Sequence, residues 1–194
     1  MANKLLQGKV IKGVGGRFKV LCGKEVLSCV ARGKLHISDK IFVGDEVNVA
    51  FIKGTYIIDD ILPRKNQLIR PPVSNIDMII LVIAPTPAAD WMLVDKLLIF
   101  AAEYSITPVL CYNKIDLDEA ELEYLHKVYG KLAKTTTVSA VTGEGLPELK
   151  KMLSGVVCLA GQSAVGKSTL LNLFCKTNQE IGDLSRIERG RNTT

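Results

Sequence analysis

Histidine is scarce in this chain, and cysteines at metal-binding spacing are missing from it. Of 194 residues only His36 and His126 are histidines, and the five cysteines (Cys22, Cys29, Cys111, Cys158, Cys175) form no Cys-x-x-Cys pair. A structural zinc site needs such clusters, so none is expected within these residues. Cys111 and Cys158 fall inside predicted buried strands, which suits reduced core thiols in an intracellular protein. No apolar run approaches the roughly 18 residues of a membrane span. The strongly apolar Ile76–Ala84 reads instead as a central parallel strand. Met1–Leu6 lacks the long apolar core of a secretory signal. A soluble, cytoplasmic, monomeric protein with no membrane partner is expected.

What is present is more specific. Gly161-Gln162-Ser163-Ala164-Val165-Gly166-Lys167-Ser168 fits the phosphate-binding loop G-x-x-x-x-G-K-[ST] at every fixed position. Gly161 and Gly166 allow a tight turn and close approach to phosphate oxygens. The loop N–H groups form an anion-binding concavity, and a helix beginning at Lys167 directs its positive end at the phosphates. Lys167 would reach the β- and γ-phosphates, and the Ser168 hydroxyl would coordinate Mg²⁺. Val156–Ala160 reads as a buried strand and Thr169–Phe174 as an apolar helix. The loop thus has the setting it requires.

Upstream, Thr107–Tyr112 reads as another buried strand with Asn113-Lys114-Ile115-Asp116 at its carboxyl end, where ligands of open α/β sheets bind. The Asp116 carboxylate can accept from both N1–H and the N2 amino group of guanine. Adenine offers no such pair. Two hydrogen bonds to a charged group, at roughly 1.5–3 kcal/mol each, give about a hundredfold discrimination or more. Asn113 would brace the loops, and Lys114 would pack along the base. Thr135–Val138 reads as a strand ending at Ser139-Ala140, beyond which Gly143 and Gly145 mark a loop.

Charge divides the chain. Residues 1–75 carry 13 Lys and Arg against 6 Asp and Glu, whereas residues 76–160 carry 7 against 11. A basic N-terminal segment points to nucleic-acid contact. Gly8–Ile11, Arg17–Leu21, Val26–Val30, Glu46–Ile52 and Thr55–Leu62 read as five short strands separated by glycine turns. That suits an all-β OB-type barrel. Lys9, Lys12, Arg17, Lys19, Arg32 and Lys34 are the candidate RNA phosphate contacts. Phe18, Phe42, Phe51 and Tyr56 are the aromatics available for stacking, although the alternation Val47, Val49, Phe51 favours a core role there.

The predicted domains are residues 1–70, the barrel, and 71–194, an α/β P-loop domain whose strands alternate with helices. Helices are expected from about Trp91 to Tyr104, with Leu93, Leu97, Phe100 and Ala101 facing the sheet. Others are expected from about Asp118 to Leu132, over 146–153, and after the phosphate loop.

The order N-K-x-D, Ser-Ala, then phosphate loop resembles circularly permuted GTPases. It is similar to the ribosome small-subunit-dependent GTPase A family (RsgA, also called YjeQ). Gly161-Gln162-Ser163, Pro63-Arg64-Lys65-Asn66, Arg70-Pro71-Pro72-Val73 and Gly190-Arg191-Asn192-Thr193-Thr194 carry the resemblance across nearly the whole chain. It implies a GTP hydrolase of late 30S maturation, stimulated by the small subunit and bound to 16S rRNA, with GTP or GDP and Mg²⁺ as ligands. The backbone of Ser139-Ala140 would contact guanine O6. The base and phosphates would be held by Asn113, Lys114, Ile115 and Asp116 and by Gly161 to Thr169. Lys167 and Thr193 or Thr194 would serve catalysis, with one of the two threonines joining Ser168 on Mg²⁺. Glu180–Thr194 would be a switch reporting the γ-phosphate.

Three departures stand out. Ala164 replaces a glycine, and Asn192 replaces a histidine. The chain ends at Thr194, before the D-x-P-G segment and the Cys/His zinc domain that the resemblance implies, so it is read as the first two domains of a longer protein. Two further readings stay open from the residues. One is a GTP- or GDP-gated RNA-binding module without turnover, and the other is an ATP-using P-loop enzyme.

Overall fold

A computed structural model describes residues 5–33, 40–69 and 72–179. Among the described residues, those up to Asn75 form one compact unit and those from Ile76 another.

The first unit is a closed barrel of β1 (Leu6–Val14), β2 (Arg17–Cys22), β3 (Glu25–Ala31), β4 (Glu46–Ile52) and β5 (Thr55–Ile61). The barrel order is β1-β2-β3-β5-β4, closed by β1 against β4. The β3–β5 pair is parallel and the other four are antiparallel. This is the OB-type barrel anticipated from the glycine-separated strands. Inward positions Val10, Val20, Leu27, Cys29, Val47, Val49 and Ile58 make its core.

The expected Val47–Val49–Phe51 alternation fails at its last member. The β4–β5 ladder shifts register between Asn48 and Val49, Ala50 is buried, and Phe51 is 51% exposed. The shift precedes Val49, which still faces the core, so it does not expose Phe51; Phe51 pairs with Tyr56 beside the Lys53-Gly54 turn, at the far end of the ladder.

The unit extends past the barrel. β6 (Gln67–Leu68) pairs with β7 (Val73–Ser74), and Val43 bridges to Val73. This pair belongs to the first unit, whose described residues run to Asn75. The fully buried Asp45 carboxylate ties this region together. It accepts from Arg64 Nε (2.6 Å) and Nη2 (2.8 Å), the Ser74 hydroxyl (2.6 Å) and the Phe42 N–H (2.7 Å). A buried charge survives only when paired and hydrogen-bonded in this way.

The second unit holds four parallel strands: β8 (Met78–Ile83), β9 (Thr107–Asn113), β10 (Lys134–Val138) and β11 (Val157–Ala160). Their order is β10-β9-β8-β11. All six residues of β8 are buried, as a central parallel strand between two layers requires. One face, with Ile80, Val82, Val109, Cys111 and Val138, packs on Leu149 of α3 (Leu146–Met152) and on Leu170 and Phe174 of α4 (Lys167–Gln179). On the other lie α1 (Trp91–Glu103) and α2 (Leu122–Tyr129).

Asp90 caps α1 by accepting from the Leu93 N–H at 3.0 Å. At its other end Ser105 takes φ +53°, and the Ile106 N–H reaches back to the Ala101 carbonyl. That is the Schellman-type closure usually made with glycine. The buried α1 positions are Val94 and Ala101. Leu93, Leu97 and Phe100 are only half-buried, so the sheet-facing stripe is rotated from the predicted one. α2 starts four residues later than predicted. Asp118 takes the Ala120 N–H at 2.9 Å into a side-chain turn and delays the helix to Leu122.

From β8 the chain steps outward to β9 and β10, then returns past them to β11 on the opposite edge of β8. The order reverses there, so a crevice is expected outside the carboxyl ends of these strands. No described helix is long and apolar enough to cross a membrane.

Candidate functional site

Three segments leave the carboxyl ends of adjacent strands: Asn113–Asp116 after β9, the residues after Ala84 following β8, and the phosphate loop after β11. Side-chain parity on β9 places Asn113 with Val109 and Cys111 on the face that packs against α4. Asn113 is buried, its Nδ2 donates to the Val165 carbonyl at 2.8 Å, and its Oδ1 accepts from the Ala140 N–H at 3.1 Å. One amide thus joins all three predicted pieces of the nucleotide site.

Lys114 adopts φ +65° and donates through Nζ to the carbonyls of Thr86 (2.6 Å) and Ala164 (2.9 Å). Its ammonium thereby ties the base segment to the phosphate loop and to the segment after β8. Ile115 donates its N–H to the Val138 carbonyl at 3.4 Å. Asp116 is exposed, and its Oδ1 accepts from the buried Ser139 hydroxyl at 2.5 Å. A carboxylate offers about four acceptor sites, so this contact orients Asp116 without exhausting it. Ser139 Oγ also accepts from the N–H groups of Val141 and Thr142.

In the phosphate loop Gly161, Ala164 and Gly166 take φ of +134°, +64° and +99°. The backbone N–H groups of Ala164, Val165 and Gly166 lie at the end of the loop, just ahead of Lys167. These donors precede the first turn of α4, where the partial positive charge of the helix end adds to them. Lys167 Nζ donates to the Gly161 carbonyl at 2.8 Å and to the Gln162 carbonyl. Burial lowers its pKa from the ordinary lysine value, as desolvation does to any ammonium. A phosphate would reverse that effect. Ser163, Ser168 and Thr169 are exposed around the loop and the first turn of α4. The donor set suits a polyphosphate, and a hydroxyl beside the lysine suits an oxygen-seeking cation such as Mg²⁺. Thr193, Thr194 and the rest of Glu180–Thr194 lie outside the described residues.

Contacts from Thr86, Ala88 and Asp90 were not anticipated. Gln162 Oε1 accepts from the Asp90 N–H at 2.9 Å, and Gln162 Nε2 donates to the Ala88 carbonyl at 3.1 Å. Asp90 ahead of an apolar helical run was legible as a cap. Nothing in the sequence linked it to a loop 72 residues away.

On the barrel, Lys12 and Lys19 are register partners across β1–β2, and Arg17 opens β2. Lys9 lies 4.0 Å from Glu46, and Arg32 is bonded to Asp59. Lys9 and Arg32 thus already have carboxylate partners on the barrel surface. Lys34 lies outside the described residues. Phe51 sits 4.8 Å from Tyr56 at the exposed end of the β4–β5 hairpin, beside Lys53. Phe18 is packed on the barrel core, and Phe42 lies under the Arg64 guanidinium at 4.5 Å.

A family profile described as RsgA GTPase matches residues 61–194. The small ribosomal subunit biogenesis GTPase RsgA of Caldanaerobacter subterraneus subsp. tengcongensis is 42% identical over 97% of this chain and 67% of its own length. That of Carboxydothermus hydrogenoformans is 39% identical over 97% and 68%. The chain thus spans about two thirds of the curated relatives it matches. The crystal structure of YjeQ from Thermotoga maritima superposes with a TM-score of 0.77 at 34% identity, over 87% of this chain and 64% of that one. YloQ, described as a circularly permuted GTPase, gives 0.70 at 28% identity, over 89% and 65%. On these matches the chain belongs to the RsgA family of circularly permuted GTPases.

Proposed function

We propose that this chain is the guanine-nucleotide and RNA-binding part of a GTPase acting in small ribosomal subunit biogenesis. The observation that supports the reading most directly is the Asn113 amide, which engages Val165 of the phosphate loop and Ala140 of the Ser-Ala segment together. Guanine would be read by Asp116 and by the backbone at Ser139-Ala140. Its phosphates would lie against the N–H groups of Ala164 to Gly166 and against Lys167.

Ser168, with Thr193 or Thr194, would hold Mg²⁺, which neutralises charge on the transferring phosphoryl group when bound. Lys167 stabilises the same charge from the protein side. Hydrolysis by the whole protein would be stimulated by the 30S subunit, and the barrel would contact 16S rRNA through Lys12, Arg17 and Lys19.

Calorimetric titration with GDP and ADP tests the base assignment. GDP is expected to bind about a hundredfold more tightly, and Asp116→Asn to erase most of that difference. Equal affinity for the two nucleotides would sink it. Single-turnover hydrolysis with and without 30S subunits tests turnover, which Lys167→Ala should abolish. Binding to 16S rRNA that does not weaken as salt rises would contradict a phosphate-contact role for the barrel.

A further inference from the structure

Gln162 is the second residue of the phosphate loop, yet both ends of its side-chain amide are used outside the loop. It takes the Asp90 N–H and gives to the Ala88 carbonyl, both in the segment between β8 and α1. Asp90 in turn caps α1. The backbone carbonyl of Gln162 meanwhile accepts from Lys167 Nζ. One residue therefore stands between the ammonium that meets phosphates and the first turn of α1.

The contacts continue past that turn. Trp91, the first residue of α1, stacks on Tyr129 of α2 with ring centroids 5.3 Å apart and planes 15° from parallel. Tyr124 meets Trp91 edge-on at 4.8 Å, and the Tyr129 hydroxyl donates to Asp95 at 2.8 Å. α2 is the helix that follows Asn113–Asp116. The base segment and the phosphate loop are thus connected directly through Asn113 and Lys114 and again over α1 and α2.

We infer that Gln162 is a positioning residue that passes phosphate occupancy to α1, and that Trp91 registers it; the inference rests on the nucleotide reading above. Phosphates that draw on Lys167 alter the setting of the Gln162 carbonyl. A glutamine amide bonded at both ends has a fixed orientation, so a shift of its backbone moves the Ala88–Asp90 segment instead of being absorbed by side-chain rotation. Trp91 is the one tryptophan of these 194 residues, so its emission reports the first turn of α1 without admixture.

The test compares this chain with its Gln162→Ala variant. Trp91 emission is followed to saturating GDP, with binding measured independently by calorimetry, so that amplitude and not affinity is compared. GDP is expected to shift the emission of the unaltered chain, and the shift to be lost in Gln162→Ala once both are saturated. The same shift in both proteins, or none in either despite bound GDP, overturns the inference.

A measurement without nucleotide keeps it separate from the function reading. Hydrogen exchange over residues 88–93 should quicken roughly tenfold in Gln162→Ala, as loss of ordinary hydrogen bonds implies, while β9 is unchanged. Unchanged exchange over 88–93 refutes the tether whether or not GDP binds. Absence of calorimetric binding to the unaltered chain, with exchange responding as expected, instead counts against the nucleotide reading alone.

Discussion

A methyl group on Gly166 would lie 2.2 Å from the Nδ2 of Asn113. The two residues occupy one space, with the asparagine amide filling what a side chain on the loop would take. Gly166 also sits at φ +99°, a conformation open essentially to glycine. Gly166→Ala is therefore expected to displace Asn113 from the Val165 carbonyl and to destabilise the chain by about 2 kcal/mol or more. Thermal denaturation measures the loss, and calorimetry should show weakened GDP binding. An unchanged melting temperature would mean that the Asn113 bridge carries little of the site.

Ala164 presents the opposite case. Its φ of +64° is left-handed, and no glycine relieves it. That conformation costs an L-residue about 1–2 kcal/mol, whereas glycine's extra freedom in the unfolded chain takes back about 0.4–1 kcal/mol. Ala164→Gly should then raise stability by about 0.5 kcal/mol in urea titration. The bond from Lys114 goes to the Ala164 backbone carbonyl and survives the change.

Arg64 and Asp45 form a pair in which the carboxylate is fully buried and the guanidinium partly exposed. Arg64 also donates to Gln67 and to the Lys40 carbonyl. Removing one partner of a buried pair leaves the other uncompensated, at a cost of about 3–5 kcal/mol. Arg64→Ala should approach that loss. Arg64→Lys should recover only part of it, because lysine lacks the planar fork that meets both Asp45 oxygens. Chemical denaturation of the three proteins ranks them.

Burial pushes the Cys111 thiol up to about 12 and the Cys158 thiol up to about 11, against 9.0 in the unfolded chain. An acid with a raised folded pKa contributes stability that is fully present below pH 9. That stability is lost as pH climbs toward the folded value. Each thiol should therefore add a fall of up to roughly 1.4 kcal/mol per pH unit between pH 9 and 11. Urea unfolding across that range should show a shallower decline for Cys111→Ala and Cys158→Ala than for the parent chain. Equal slopes would remove the thiols as the cause.

The parts of the proposed nucleotide site were legible because they are local. A phosphate loop needs its glycines and lysine at fixed spacing, and Asn113–Asp116 sits where a buried strand ends. Burial of β8 and β9 followed from unbroken apolar runs, and the barrel followed from glycine turns between short strands. What escaped depends on partners distant in sequence. Phe51 reads as a core residue by alternation, but its place beside the turn that joins β4 to β5 leaves it exposed. The helix face of α1 was misread by about one position because Leu93, Val94, Leu97, Leu98, Phe100 and Ala101 are all apolar, and only the sheet selects among them. Asp118 delayed α2 by a side-chain turn that helical periodicity does not register. The tie between Gln162 and Asp90 spans residues on which no local rule acts.

Strand order also sets the circumstances in which the chain is made. β8 is buried along its whole length, and its two edges are covered at very different times. β9 follows after a single helix, but β11 emerges only after everything from Ala84 to Val156 has been synthesised. Until then a fully apolar strand presents one row of unpaired backbone groups, the kind of edge on which nascent chains associate. The strand that covers this edge of β8 is also the one that delivers the phosphate loop. Ribosome stalling shortly before residue 157 should accordingly produce the most aggregation-prone and chaperone-dependent intermediate of its biosynthesis, and release of β11 should end both hazards at once.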